Sequence, residues 1–468
     1  MNAIRRVIFV VTLIGIAASA GCMVGPDYRR PRAQVPQQYK EATITGVTWK
    51  TAAPSDELDP RSWWSIYQDP LLDDLAKQIQ CSNQSLKGFA AAYRQALALS
   101  YAARSTLLPE LSLTPRAARG RAAGVTSTTR SLEVGASWDL DLWGKTRREV
   151  QSKRAAAQAS AAQLGAARLS LEAELVSDYF QLRYADSLQA LLANTVSAYQ
   201  RTLDIAQNQY AAGIAARSDV VTAEAQLHTT QAQLIAAGVS RSQLEHAIAL
   251  LIGETAGDLT IPVAPLTTTV PQIPLVVPST LLERRADIAQ AERTVAQQSA
   301  LIGVAVAAFY PDISLSGLFG YASSAPSGGL LAASNRIWSG AVSGNQFLFD
   351  GGVRTASVVA ARAAHAQSVA NYRQTVLAAF EEVETCLSSL RILADQAEAQ
   401  EQAVALSRRS VEISLNEYAA GIQSYTAVVT SQTAQFANEE IQLQVASNRL
   451  LQSVALLKAL GGGWSADE

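Results

Sequence analysis

Side chains that could perform acid–base or metal chemistry are few and scattered in this sequence. The three histidines, His228, His246 and His365, lie in alanine-rich segments without a second ligand at metal-site spacing. A Gly-Lys-Thr run at 144–146 matches the end of a phosphate-binding loop, but Asp139 stands where that loop requires its first glycine. Solvated or interface histidines are therefore favoured over an active site, and we expect neither enzymatic activity nor a metal or organic cofactor.

The first cysteine ends a segment typical of secretion. Two arginines precede an apolar run over 7–18, and small residues lead to Cys22. This run is too short for a membrane anchor and predicts a signal peptide over 1–21. We expect cleavage before Cys22 and a covalent lipid on its thiol, although cleavage after Ala20 would leave a free Cys22.

The other two cysteines leave two possibilities open. Helix-rise arithmetic puts Cys81 and Cys386 at depths that do not forbid a disulfide in an oxidising compartment. Cys386 also falls on an apolar helix seam, where a buried thiol behaves as a small hydrophobic side chain.

The composition favours long, closely packed helices. There are 84 alanines but only 9 Phe and 2 Met, and charged residues make up 17% of the chain. The net charge of -2 argues against a nucleic-acid partner. After the leader, no run reaches the ~18 apolar residues of a transmembrane helix, so a membrane-spanning part would have to be a closed β-barrel.

Internal repeats divide the chain into two similar halves. The Tyr-Ala-Ala-Gly-Ile run at 210–214 recurs at 418–422, an offset of 208. A Pro-acid-aliphatic-Ser-Leu run at 109–113 recurs at 311–315, an offset of 202. These units are much longer than solenoid repeats and indicate a duplicated, domain-sized half.

Each half is predicted to begin with a helix, over 82–107 and 280–308, followed by a β-hairpin, over 109–143 and 311–350. Apolar and polar residues alternate along 131–142, as in transmembrane barrel strands. A half-buried strand of a soluble sandwich is the alternative, but no second sheet is predicted for it to pack on. We expect Phe347 and Phe349 on the returning strand of the second hairpin.

Long helical hairpins, over 144–252 and 351–460, complete the halves, and each carries a coiled-coil-like apolar seam. Gly213 and Gly421 supply their turns, where glycine most easily adopts a left-handed backbone. The first-half seam consists of Leu171, Leu175, Leu182, Ala185, Leu192, Val196, Tyr199, Leu203, Ala206 and Tyr210. The second-half seam consists of Ala379, Val383, Cys386, Leu390, Leu393, Ala397, Val404, Val411 and Tyr418.

Five local motifs carry a resemblance to a known family. They are Cys-Met-Val-Gly-Pro-Asp-Tyr at 22–28, Trp-Asp-Leu-Asp-Leu-Trp-Gly-Lys at 138–145, Leu-Leu-Glu-Arg-Arg-Ala-Asp-Ile at 281–288, Phe-Asp-Gly-Gly at 349–352 and Leu-Lys-Ala-Leu-Gly-Gly-Gly-Trp at 457–464. The sequence resembles the TolC-like outer membrane factors, specifically the NodT-type efflux outer-membrane lipoproteins. Ala286 departs from the family proline in the third motif.

The resemblance implies a mixed α and β membrane protein. Its fold would be a homotrimeric twelve-stranded transmembrane β-barrel continued by a long periplasmic α-helical barrel, with two repeats per protomer. Residues 22–80 would form a lipidated tether and equatorial segment, 253–279 an equatorial linker, and 461–468 a tail after the repeats at 81–252 and 280–460. The implied location is the outer membrane of a Gram-negative bacterium, reaching into the periplasm. Its implied partners are outer-membrane lipid, a periplasmic adaptor and an inner-membrane pump of RND class.

A duct must close at its periplasmic end. The resemblance implies that the closing parts are the hairpin tips around Gly213 and Gly421. Family members carry an apolar residue and an aspartate, one turn apart, at positions matching Thr426 and Thr430. The two threonines predict a polar, uncharged constriction instead. Asp219 could either complement the helix dipole or lock the gate. Glu417 replaces a basic residue of close relatives, which predicts altered locking contacts.

Two non-enzymatic functions remain possible for such a chain. The first is a passive export duct whose aperture opens when the hairpin tips move. The alternative is a coiled-coil envelope spacer without a pore. Alternating strands with one polar face favour the duct, because a spacer needs no hydrophilic lumen.

Overall fold

A computed structural model describes residues 23–34, 36, 39–41, 62–271, 273, 285–324 and 329–462. The predicted signal peptide and Cys22 lie outside these ranges. So do residues 42–61 of the predicted N-terminal segment, residues 274–284, which include the start of the predicted 280–308 helix, and residues 463–468 of the tail. The chain divides into two compact units. Unit 1 comprises Met1–Ala33, Ala90–Ala162 and Ile288–Thr375, and unit 2 comprises Gln34–Phe89, Gln163–Asp287 and Val376–Glu468.

The described elements alternate between long helices and short antiparallel strand pairs. In chain order they are α1 (Pro70–Ser82), α2 (Gln84–Ser105), β1 (Glu110–Ala122), β2 (Val125–Leu140), α3 (Lys145–Ala211), α4 (Arg217–Ile252), α5 (Ala286–Ala307), β3 (Asp312–Ser323), β4 (Arg336–Asn345), α6 (Val353–Ala419) and α7 (Tyr425–Ala459). From α2 onward, the order helix–strand–strand–helix–helix occurs twice, and both α3 and α6 contain 67 residues. No helix in the described ranges combines the length and apolarity needed to cross a bilayer.

The sheet of unit 1 has four antiparallel strands in the order β1-β2-β3-β4. Its register places Leu113, Val134, Phe319 and Trp338 side by side in one row, so one face carries a continuous apolar stripe. All four side chains of this stripe are exposed. Period-two alternation puts polar residues such as Glu133 on the other face.

The second hairpin is shorter than the sequence suggested. β4 ends at Asn345, so the placement of Phe347 and Phe349 on that strand was wrong. Both lie in the connection to α6 and are 61% and 88% exposed. The β3 register explains the difference, because Asp312, the first residue of β3, already pairs with Asn345 and leaves later residues without a partner.

The N-terminal segment of unit 1 is held at the start of α3. The Arg148 guanidinium is buried and donates to the carbonyl oxygens of Val24 and Gly25 and to the Asp27 carboxylate. Gly25 has φ +89°, and a Cβ there would lie 2.5 Å from the Cα of Gly303. Only glycine fits this close backbone approach, which fixes the chain two to three residues after Cys22.

In unit 2, a buried ion network anchors the segment that follows α4. Asp186 of α3 accepts hydrogen bonds from Arg183 and Arg241 and from the Ala264 amide. Arg241 also donates to the Ile261 carbonyl at 2.6 Å. Because these buried charges are paired and hydrogen-bonded, the linker is tied to both helices of the first hairpin.

The predicted seam is largely buried. Leu192 and Leu203 are 3% and 5% exposed, and Val196 is half-buried. Tyr210 is an exception, because it is 48% exposed, and its assignment to the buried seam was wrong. It lies in the last turn of α3. At the start of α4, Arg217 occupies the position that Tyr425 fills in the second half.

Cys81 and Cys386 are both free thiols, the first exposed and the second buried. Burial, together with Glu382, raises the pKa of the Cys386 thiol to about 11. The buried-hydrophobe interpretation of Cys386 therefore describes this structure, and the disulfide alternative does not.

Candidate gate at the helix-hairpin tips

Two turns of the same construction close the helical hairpins of unit 2. Gly213 and Gly421 have φ +75° and +73°, and a Cβ at either would meet no atom within 4 Å. Their amides donate to the carbonyls of Tyr210 and Tyr418, each at 2.9 Å. A side chain would have room at both positions. Glycine is therefore favoured here because it adopts the left-handed backbone most easily.

An apolar cluster behind the turns joins the two hairpins. Its buried members are Tyr199, Leu203, Ala223, Leu227, Tyr418, Tyr425 and Val428. The set draws on α3 and α4 of the first hairpin and α6 and α7 of the second. The tips of the two hairpins therefore share one core, and moving one apart from the other would expose it.

Polar bonds reinforce this junction at two levels. The Gln209 side-chain amide donates to the Tyr418 carbonyl at 2.9 Å, directly beside the turn. Farther from the turn, the Gln432 amide donates to the Thr202 hydroxyl at 2.9 Å in a buried position. Each bond connects the first hairpin to the second.

Asp219 lies in the first turn of α4, where a negative charge complements the helix dipole. Its charge also acts on two tyrosines of the second hairpin. Burial raises the pKa of the Tyr418 hydroxyl, and the charge of Asp219 raises it further. Burial, Tyr418 and Tyr199 raise the pKa of Tyr425 to about 12, with Asp219 contributing in the same direction. The position in the first turn of α4 fits the helix-dipole role, and the gate-locking role of Asp219 stays a prediction.

The two predicted constriction residues lie on one exposed stripe of α7. Thr426 and Thr430 are one turn apart and both exposed. The Thr430 hydroxyl donates to the Thr426 carbonyl at 2.9 Å, which satisfies it within its own helix. Neither contacts Asp219 through a hydrogen bond among the described residues.

Glu417 has a local role. Its carbonyl accepts from the Ile422 and Gln423 amides at the turn, and its carboxylate accepts from the Gln423 side chain at 3.3 Å. Among the described residues, the charge of Asp219 acts on Tyr418 and Tyr425, and no hydrogen bond joins its carboxylate to Glu417, Thr426 or Thr430.

Sequence reasoning missed the importance of Tyr418 and Tyr425 as a pair. They flank Gly421, and their rings are 5.4 Å apart. The Tyr418 hydroxyl is buried and makes no hydrogen bond within the described part of the chain. A signal existed in the sequence, because Tyr425 replaces Arg217 of the first half at the 208-residue offset.

Chemistry other than packing finds little support in the described ranges. Among the described residues, no three His, Cys, Asp or Glu side chains are grouped to hold a metal ion. His228 is exposed and shares a hydrogen bond with Gln231, its neighbour one turn away.

The family of the chain follows from comparison with known proteins. The model of the outer membrane efflux protein family matches residues 75–254 and 277–462. The chain belongs to the outer membrane efflux protein family, which confirms the resemblance inferred from the motifs.

Individual relatives agree with this assignment along most of the chain. Nodulation protein T of Rhizobium leguminosarum bv. trifolii is 28% identical over 88% of both chains. The cation efflux system protein CusC of Escherichia coli O6:H1 is 27% identical, covering 96% of this chain and 97% of its own. The outer-membrane channel OprN superimposes with a TM-score of 0.88 at 28% identity, over 95% of this chain and all of OprN.

The class of protein is therefore defined. Members of this family are outer-membrane efflux channels and not enzymes. The protein is located in the outer membrane of a Gram-negative bacterium and extends into the periplasm.

Proposed function

We propose that the protein is the export duct of a tripartite efflux system. It is a homotrimer that passively conducts small molecules from a periplasmic adaptor and an inner-membrane pump, of RND class by family resemblance, to the outside. The exported molecule is selected by the pump, because a wide polar tunnel discriminates little between small solutes.

The four-stranded sheet carries this proposal. Among the described residues, β1 and β4 each pair with another strand on one side only. Unpaired strand edges cannot persist in lipid, where every backbone group needs a partner. Three copies would close twelve strands into a barrel, with the exposed apolar stripe toward lipid and the polar face toward the lumen.

The tip cluster supports a closed resting state. Closure would rest on the shared core around Tyr418 and Tyr425 and on three copies of Thr426 and Thr430 around the axis. Opening would move the hairpin tips outward, with Asp219 and Glu417 among the residues whose contacts change. The helices of the two repeats would form the tunnel wall above these tips.

A covalent lipid on Cys22 would tether the trimer to the membrane. The support comes from the Arg148 contacts, which hold Val24 and Gly25 at the junction between β2 and α3. A lipid on Cys22 would then lie near the helix end of the sheet, where a membrane surface is expected.

Planar-bilayer recording tests the duct directly. Purified full-length trimer should give discrete, ohmic conductance steps that a coiled-coil spacer would not produce. Membrane-bound trimer without any conductance, including after substitutions that loosen the tip cluster, would refute the duct and leave the spacer.

A further inference from the structure

Four arginines occupy the apolar face of the sheet near its turn end. They are Arg119 and Arg121 of β1, Arg130 of β2 and Arg336 of β4, and all four are exposed. Arg130 lies four residues before Val134 on the same strand, so both point to the same side. Together these four residues are called the arginine collar.

The strand register places the collar along the turn-side part of β2, from the rung of Leu132 to the rung of Thr126. Arg119 pairs with Thr128, two residues from Arg130. Arg336 pairs with Tyr321, whose other partner is Leu132, again two residues from Arg130. Directly paired residues of antiparallel strands project to the same face, and these rungs lie in the half of the sheet nearer the turns.

Acidic residues of the strands are all on the opposite face. Within the four described strands, the carboxylates are Glu110, Glu133, Asp139 and Asp312, and each is an odd number of rungs from the apolar stripe. Arg116 is the one arginine of these strands that shares their face. In the described part of the chain, no salt bridge joins a collar arginine to a carboxylate.

An ordered sequence of side chains runs along the apolar face. Leu140 lies near the helix end, the paired Leu132 and Tyr321 lie farther toward the turn, and Arg130 is two residues beyond Leu132. From 132 to 140 the strand rises about 27 Å, which after tilting approaches the ~25 Å apolar band of outer-membrane barrels. Tyr321 pairs with both Leu132 and Arg336, so this aromatic residue lies at the turn-side edge of the band beside the collar, as interfacial aromatic residues do.

We infer that the arginine collar binds the phosphate groups of glycolipids in the outer leaflet of the outer membrane. The inference rests on the proposed duct, in which the helices are periplasmic and the turn end of the sheet faces outward. Guanidinium groups match phosphate in charge and in paired hydrogen-bond geometry. Because the collar is on the apolar face, it is available to lipid headgroups and not to cargo in the lumen.

The test uses the full-length trimer in detergent and native mass spectrometry. The probes are bis-phosphorylated lipid A, the same glycolipid without phosphates, and phosphatidylglycerol. The variant combines Arg119→Gln, Arg121→Gln, Arg130→Gln and Arg336→Gln, and the matched control is Arg116→Gln on the polar face. If the full variant does not assemble, the pair Arg119→Gln and Arg121→Gln replaces it.

The expected result is a phosphate-dependent affinity that the collar supplies. Each arginine near an anionic surface is worth about fivefold, so the four-residue variant should lose at least about tenfold in affinity for bis-phosphorylated lipid A. The pair should lose at least about fivefold. Arg116→Gln should bind as the unmodified protein does.

Three results would overturn the inference: equal binding of the dephosphorylated glycolipid, equal binding of phosphatidylglycerol, or undiminished binding by an assembled collar variant. Conductance recorded on the same preparation separates this proposal from the duct. A conducting trimer without phosphate preference refutes only the collar, and a non-conducting trimer with that preference refutes only the duct.

Discussion

Tyr418 and Tyr425 face each other across the turn of the second helical hairpin, with ring centroids 5.4 Å apart and planes inclined by 56°. Both are buried in the cluster that joins the two hairpins. At the 208-residue offset, the first hairpin has Tyr210 and Arg217, which are exposed. The two repeats are therefore unequal at their tips, because the second hairpin has a buried aromatic pair where the first has two exposed residues.

Removing one ring of this pair should loosen closure. Tyr425→Ala leaves a cavity in the tip cluster and should cost roughly 3–5 kcal/mol of local packing energy. We expect a higher resting conductance in planar bilayers and greater vancomycin sensitivity in cells. Tyr210→Ala, which truncates the exposed counterpart, is the control; an equal effect of both variants would contradict the assigned asymmetry.

A charge at the constriction should change ion selectivity. Thr430→Asp would place three carboxylates around a narrow aperture, which attracts cations and repels anions. The reversal potential in a salt gradient should shift toward cation selectivity. Thr222→Asp, at the matching position of the first half, is the comparison; an unshifted potential for Thr430→Asp means that Thr430 does not line the pore.

A charge in the seam should prevent assembly. Leu203 is 5% exposed, and Leu203→Asp would bury an unpaired carboxylate at a cost of roughly 3 kcal/mol or more. Loss of the heat-resistant trimer on gels is expected, with similar losses for Asp at Leu192 and a smaller one at Val196. Gln207→Asp, at an exposed position one turn away, should leave the trimer intact. A heat-resistant Leu203→Asp trimer would show that the seam register is wrong.

Stability should depend on the ionisation of Asp178. Burial, with a smaller effect of Glu174, raises the pKa of this carboxyl to about 6, above its value of about 3.9 in an unfolded chain. The folded state then binds more protons between these values, so this group's contribution falls as the pH rises through about 6. Asp178→Asn should raise the unfolding temperature at pH 7.5 and lose that advantage near pH 4. The exposed Asp395→Asn is the control, and a pH-independent difference for Asp178→Asn would contradict this origin.

Lipid attachment is predicted at Cys22, outside the described residues. Cys22→Ser should abolish incorporation of labelled palmitate, while Cys81→Ser should not. Because the sheet would still insert, we expect the Cys22 variant to keep part of its export activity. Unchanged labelling of Cys22→Ser would exclude this site.

Short sequence patterns predicted the hairpin turns and strand β2, which depend on residues close together in the chain. The repeated Tyr-Ala-Ala-Gly-Ile run identified both turns, because the left-handed position needs glycine wherever it occurs. Alternation along 131–142 predicted β2, because successive side chains of a strand point to opposite faces. The end of β4 could not be placed this way, because it is set by pairing with Asp312 rather than by the apolar residues at 347 and 349.

Relationships between distant residues were beyond the sequence. The heptad pattern gave Tyr210 and Tyr418 the same status, although Tyr418 is buried beside the Tyr425 ring and Tyr210 is exposed. The proximity of Asp219 to that ring depends on how four helices pack. The arginine collar could be recognised only from the strand register. Its arginines lie on β1, β2 and β4, and β4 is related to β2 through its pairing with β3.

Single-channel recording of the full-length trimer in a planar bilayer tests the central claim most directly. The account predicts a mostly closed channel in the unmodified protein and long open steps for Tyr425→Ala under the same conditions. A membrane-inserted, heat-resistant trimer that conducts in neither form would contradict the assignment of this protein as an export duct closed at its hairpin tips.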